Sequence, residues 1–324
     1  MDSSERTIRS YSSRLERFLE WCDLEDIDAM SELDSLRIDD YRVYIQGGDR
    51  EGVSVKGVLA TFRVFLKYCE EIGVVERNLH AAVQVPTLDP VEETSDERLE
   101  TQDAIDMLEY FRQSTALFGI DQHALLELTW HIGARVGGIR ALDLTDYRPE
   151  EREIEFVHRP STGTPLKNKS NGERIVGVSE QVADALDMYI SRERHNKRDE
   201  NGREPLFATR QGRAVIGTLR GWCYLATEPC YHMECPHGRQ RPRCEYTERN
   251  KASRCPSSRS PHAVRQGSII WQLNRGIKIE IVAERVNSTP AVIRRYYDHA
   301  TKRERYEERR QDIELQLDIS GGED

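Results

Sequence analysis

The sequence predicts a mainly α fold with a small β-sheet, divided into two domains. Three observations carry this. Apolar residues recur at three- and four-residue spacing through most of the chain, only two short stretches read as strands, and an acidic, proline-framed segment interrupts the helical pattern near residue 90. At 324 residues the chain is long enough for each domain to bury its own core.

Residues 5–84 read as helical. Tyr11, Leu15, Phe18 and Leu19 form one apolar stripe and Phe62, Phe65, Leu66 and Cys69 another, with Gly47-Gly48 breaking the pattern between them. Pro86 and Pro90 then frame the run Val91-Glu92-Glu93-Thr94-Ser95-Asp96-Glu97, too polar to bury a face. The predicted boundaries are a helical domain over 1–88, a linker over 89–98, a second domain over 99–310 and an acidic tail over 311–324.

The second domain opens with helices, one running from about Asp121 to Val136. Strands are expected over Glu153–His158 and Arg174–Val178, the latter after the turn-prone Lys169-Ser170-Asn171-Gly172. Ser179 is a candidate N-cap for a helix over Glu180–Arg194. Ala208–Arg259 reads as irregular and holds most of the cysteines. Ser260-Pro261 supplies N-cap and first-turn signals for a helix that Gly276 ends, and Thr289-Pro290 repeats them for the helix bearing Tyr297.

Composition excludes some classes. No apolar run approaches the roughly 18 residues needed to span a bilayer, and the first residues lack the apolar segment of a signal peptide. A soluble, cytoplasmic protein associated with the nucleoid is expected. Seven cysteines, an odd number without an export signal, argue against a disulfide framework. Lys+Arg number 47 against 57 Asp+Glu, a net of −10, and only eight of the cations are lysines. Abundant carboxylate with arginine replacing lysine suits a protein kept soluble in concentrated salt. The total does not favour a polyanion partner, but the distribution does: Cys235 to Arg265 carries eight Lys/Arg and two Glu, a local net of +6. Such a run is the footprint of a phosphate-tracking surface.

Three constellations bear chemistry. His262 and Arg265 lie three apart and share a helix face, pairing a proton carrier with a fork of phosphate donors. Arg135 is placed at the end of an apolar helix, between Gly133-Ala134 and Gly137-Gly138, whose small side chains admit a substrate backbone. Tyr296 and Tyr297 point about 100° apart on a helix. The stripe Val292, Ile293, Tyr296 and Ala300 assigns Tyr296 to the core and leaves Tyr297 as a candidate nucleophile, which needs cations and a base beside it. Each pattern alone is met by ordinary surface residues. Cys230, Cys235, Cys244 and Cys255, with His232 and His237 among them, are spaced x4, x8 and x10. That is looser than paired C-x-x-C knuckles and fits either a structural zinc site or reduced cysteines in a loop.

Order and combination are more specific. Ile132-Gly133-Ala134-Arg135 with Ala141-Leu142-Asp143-Leu144, Lys169 ahead of Glu173-Arg174-Ile175-Val176, His262-x-x-Arg265, and Tyr297-Asp298-His299 occur in the sequence order of the tyrosine recombinase (phage integrase) family, which the chain resembles along nearly its whole length. In flavour it is similar to integrase-type recombinases of salt-loving archaea. The resemblance implies a helical core-binding domain and a catalytic domain that clamp duplex DNA. It also implies a homotetramer on DNA, and site-specific cleavage through a 3′-phosphotyrosyl bond at Tyr297. Arg135 and Arg265 would hold the phosphate, Lys169 would protonate the leaving 5′-oxygen, and His262 would move the tyrosine proton. No metal, ATP or small-molecule substrate is implied for the chemistry. Gly138 stands where the family has an acidic residue, and Asn287-Ser288 where it has a second histidine or a tryptophan. Two rival readings use the same residues: a non-catalytic DNA-binding regulator, and a type IB topoisomerase-like enzyme.

Overall fold

The computed structural model describes residues 5–47, 51–89 and 97–297 and divides the chain into two compact units, Met1–Ser95 and Asp96–Asp324. The expected linker, Asp298-His299 and the expected acidic tail lie wholly or largely outside the described residues.

The first unit is built from α1 (Glu5–Leu24), α2 (Ser35–Gln46) and α3 (Gly52–Glu71). Asp34 caps α2 by accepting from the Arg37 backbone N–H at 2.8 Å, the role a short carboxylate fills at an N-cap. An aromatic cluster forms the core, with Phe18 centred 4.6 Å from Phe62 and 5.3 Å from Tyr41. The buried face of α1 is not the expected stripe. Phe18, Trp21 and Cys22 are buried, whereas Tyr11 is 39% and Leu19 60% exposed. Trp21 lies one turn beyond Phe18 and buries more apolar area than Leu19, so packing rotates the helix toward it.

The second unit is organised around α5 (Asp121–Ile132), buried along almost its whole length. Against it pack α4 (Thr101–Gln113), α7 (Glu180–Met188), α8 (Ile216–Ala226) and α9 (Pro261–Asn274). The short α6 (Val136–Ala141) lies against α8. A three-stranded antiparallel sheet of β1 (Tyr147–Arg148), β2 (Glu153–Phe156) and β3 (Arg174–Gly177) pairs Phe156 with Arg174 across β2 and β3. A small hairpin of β4 (Ala208–Thr209) and β5 (Gly212–Arg213) precedes α8. The buried helix α8 corrects the expectation of an irregular stretch over 208–259. Its apolar residues surround the helix, so no period of 3.6 marks it in the sequence.

Two short helices follow among the described residues: α10 (Ile279–Arg285) and α11 (Pro290–Tyr297). Ile269, Val282, Ala283, Val286 and Ile293 form a small core that joins them to α9. Two of the three expected caps bond through their side chains, whereas Ser179 stands at the N-cap of α7 without a side-chain bond, and that helix ends at Met188 rather than Arg194. Ser260 Oγ accepts from the Ala263 N–H at 3.2 Å, and Thr289 Oγ1 from the Val292 N–H at 3.3 Å. No helix among the described residues is long and apolar enough to cross a membrane.

Candidate active site

The first arginine owes its position to a glycine. Gly133 ends α5 in the left-handed region at φ +69, and a Cβ there would lie 2.9 Å from Ser268 Oγ and 3.0 Å from Val286 Cγ1. Both the conformation and the space therefore demand glycine. The chain turns, and Arg135 stands in extended backbone as the N-cap of α6. It is not the terminal residue of an apolar helix, as its flanking sequence suggests, because the left-handed Gly133 stops that helix two residues earlier. Its Nη1 donates to the carbonyl of Asn287.

Arg265 projects from α9 and is 5% exposed. Its Nη1 donates to the carbonyl of Gly133, and to that of Val286 at 2.6 Å. Arginine carries five N–H donors in a rigid plane, so anchoring one end fixes the directions of the rest. His262, one turn earlier on the same helix, is close enough to feel both guanidinium groups. Desolvation of its ring, then the charges of Arg265 and Arg135, hold its pKa below the ordinary histidine value. Although the residue as a whole is exposed, its ring is partly enclosed beside the two arginines. An imidazole so placed is neutral at neutral pH and able to accept a proton.

Lys169 is exposed, at φ 52, on the turn between β2 and β3. The neighbouring Asn168 Nδ2 donates to Asn287 Oδ1 at 2.6 Å. Asn287 thus touches both sides of the site, its backbone carbonyl held by Arg135 and its side chain by the lysine turn. It has φ 52, a left-handed conformation that asparagine tolerates better than most residues.

Arg174 joins this group, and motif spacing alone did not single it out. Its Nε donates to the Arg285 carbonyl at 2.8 Å, and its guanidinium lies 3.9 Å from the centre of the Phe156 ring. Burial, then the charges of Arg135 and Arg285, lower its pKa to about 10. The only sequence signal for it was its place in the Glu173-Arg174 pair after the lysine turn. Arg135, Arg174, Arg265 and Arg285 all donate to backbone carbonyls. A carbonyl carries no net charge, so these bonds orient the guanidinium groups without themselves cancelling their positive charge.

The turn over 286–289 leads directly into α11, whose last residue is Tyr297. The side chains of Tyr296 and Tyr297 lie outside the described residues, as does Ala300. Of the expected stripe, Ile293 is buried, while Val292 is 38% exposed and faces away from the small core.

Cys230, Cys235, Cys244 and Cys255 line a single pocket with His237. Among the described residues no group of three or more His, Cys, Asp or Glu is arranged to hold a metal ion. In the basic run, Arg241 stacks on Tyr231 at 3.6 Å and pairs with Glu228, Arg239 lies over Tyr246 at 4.3 Å, and Arg243 and Arg254 are exposed.

No family model matches the chain. Among curated proteins it is similar to tyrosine recombinase XerC of Roseiflexus castenholzii, 23% identical over 308 residues that span 91% of this chain and 83% of that protein. Among solved structures it resembles the Tn1549 transposon integrase in complex with transposon right end DNA. The TM-score is 0.65 at 14% identity, covering 98% of this chain and 95% of the other. It also resembles a lambda integrase dimer bound to a COC' core site, with a TM-score of 0.60 at 14% identity, covering 93% and 91% of the two chains. The mainly helical chain with its small sheets has the fold of these integrases.

Proposed function

We propose that this chain, a member of the tyrosine recombinase (phage integrase) family, cuts and rejoins double-stranded DNA at a specific site through a covalent bond to Tyr297. The observation that carries this reading is the meeting of Arg135 and Arg265 at the 286–287 turn, which feeds the helix ending in Tyr297, with His262 beside the two arginines.

The Tyr297 hydroxyl oxygen attacks the scissile phosphorus while its proton passes to His262. The bond from phosphorus to the 5′-oxygen breaks as the 3′-phosphotyrosyl ester forms, and Lys169 supplies the proton that the departing oxygen takes up. Arg135 and Arg265 hold the non-bridging oxygens as charge builds on them, the arrangement in which fixed donors do most for a transition state. Reversal on a new 5′-hydroxyl reseals the strand. The ester keeps the energy of the broken bond, so rejoining needs no nucleotide. The exposed Arg243 and Arg254 of the 235–265 run support tracking of the DNA backbone. Exchange between two duplexes requires four strands to be cut, and hence a homotetramer on DNA.

The test is covalent capture on a nicked cognate site, in which the cut fragment cannot be religated. Wild-type protein and Tyr296→Phe should form a denaturant-resistant protein–DNA adduct, and Tyr297→Phe should form none while binding within a few fold. An adduct lost in Tyr296→Phe instead moves the nucleophile. Sequence-specific binding with no adduct in any variant supports the regulator. An adduct without synapsis of two sites supports the topoisomerase-like enzyme.

A further inference from the structure

We infer that Cys230, Cys235, Cys244 and Cys255 form a structural zinc site that staples the strap leading into α9, an inference independent of the reading of the active site. Between α8 and α9 the chain runs for more than thirty residues with only isolated single turns, among them Pro229–Tyr231, Arg241–Arg243, Glu245–Thr247 and Ala252–Arg254. From Tyr231 through Lys251 no residue is buried. Tyr231 packs on the core, Arg241 stacks on the Tyr231 ring and pairs with Glu228, and Arg249 donates to Thr218. Without a buried side chain over Tyr231–Lys251 these contacts offset little of the entropy of ordering, and a cross-link would supply the rest. Among the residues it gathers toward one pocket are its four cysteines, which arrive from both ends and from the middle of the strap. All four are free thiols.

Four sulfurs around one point is the donor set of a closed tetrahedral zinc site, which needs no open position and does no chemistry. On binding, each thiol gives up a proton and its sulfur bonds to the metal, with no change of oxidation state. The side chains are not yet arranged to hold a metal ion. Rotation about χ1 carries a cysteine sulfur among three staggered positions, and the proposal requires such rotation to close the shell. Two arginines face the negative charge of a four-thiolate centre: Arg241 Nη1 donates to Cys230 Sγ at 3.1 Å while also pairing with Glu228, which lines the same pocket, and Arg239 lies beside Cys244. His237 lines the same pocket, but its Nε2 is engaged with Ser257 Oγ at 2.9 Å. This favours four sulfurs over three sulfurs and a nitrogen. Three residues beyond Cys255, Ser258 Oγ donates to the Ala252 carbonyl, and the Arg259 N–H donates to Thr227 Oγ1. The staple therefore sits directly upstream of Ser260 and His262.

The experiment is metal analysis of the full-length chain purified under reducing conditions without added metal. It is paired with the absorption spectrum after exchange into Co²⁺. We expect about one zinc per chain, and a cobalt spectrum with intense visible bands and thiolate charge transfer. Cys235→Ser and Cys244→Ser should each lose the metal and become sensitive to proteolysis between residues 230 and 259. Cys22→Ala, in the first unit, should keep it. Since the wild-type measurement stands by itself, a misfolded variant leaves the proposal testable. Wild-type protein without zinc that takes up no Co²⁺ in a thiolate environment would overturn it. So would disulfides among the four cysteines under non-reducing alkylation, or metal retained in both serine variants.

Discussion

Arg135 and Arg265 hold neighbouring carbonyls of one turn, Arg135 that of Asn287 and Arg265 that of Val286. Arg265 also holds Gly133, two residues before Arg135. The two arginines are therefore fixed to each other's backbone surroundings, and neither can shift without the other.

This arrangement separates charge from geometry. Arg265→Lys keeps the charge but not the planar fork, and should slow single-turnover cleavage by about 10²-fold, the scale of one lost preorganised donor. Arg265→Ala should slow it at least as much. It should also destabilise the second unit by roughly 1–3 kcal/mol, because buried carbonyls lose their donor. Cleavage by the lysine variant at the wild-type rate would remove Arg265 from the transition state.

Asn287 offers a finer probe of the lysine turn. Glycine accepts φ 52, so Asn287→Gly keeps the backbone and removes the hydrogen bond to Asn168. Cleavage should fall about 10-fold, the rate equivalent of roughly 1.4 kcal/mol for one hydrogen bond. Lys169→Ala should fall further. Both variants should recover on a substrate whose 5′-leaving atom is sulfur, which departs without a proton. If Lys169→Ala is not rescued, the acid is to be sought at Lys167, on the same turn.

The pH profile should report the imidazole. Desolvation, Arg265 and Arg135 lower the pKa of His262. It therefore stays neutral through neutrality, and cleavage should decline only as pH falls through that depressed value. Arg135→Ala removes one of the cations that disfavour the charged ring. Its histidine should protonate at higher pH, and the acid limb of its residual rate should move upward in pH. A limb in the same place in both proteins would mean that another group titrates.

Away from the site, Glu127 on α5 is 1% exposed and accepts from Arg112 Nε at 2.6 Å and Nη2 at 2.9 Å. Burial would raise its pKa, but hydrogen bonds from His123 and Arg112 outweigh it and hold the carboxylate below its ordinary 4.5. The stability it contributes is in place above that value and is lost as pH falls below it. Glu127→Ala should cost roughly 3 kcal/mol in urea unfolding, the low end for a broken buried pair because Arg112 keeps part of its surface in water. A loss under about 0.5 kcal/mol, the level of a surface change, would refute this.

What the sequence determined by itself was local. Apolar spacing marked the helices, Ser260-Pro261 and Thr289-Pro290 marked two helix starts, and the turn before Arg174 marked β3. Each signal acts within a turn or two of its own residue. The order of Arg135, Lys169, His262, Arg265 and Tyr297 could also be read directly. Tertiary structure alone decided which face of α1 is buried, since a stripe is ambiguous until Trp21 finds Phe18 and Tyr41. It decided that the apolar stretch over Ile216–Ala226 is a core helix, and that Arg135 stands beyond a left-handed Gly133. It also made Asn287 the joint between the first arginine and the lysine turn. Those contacts link carbonyls and side chains more than a hundred residues apart. Through-space pairing of that kind leaves no period or spacing in the sequence, because it exists only once the intervening chain has closed.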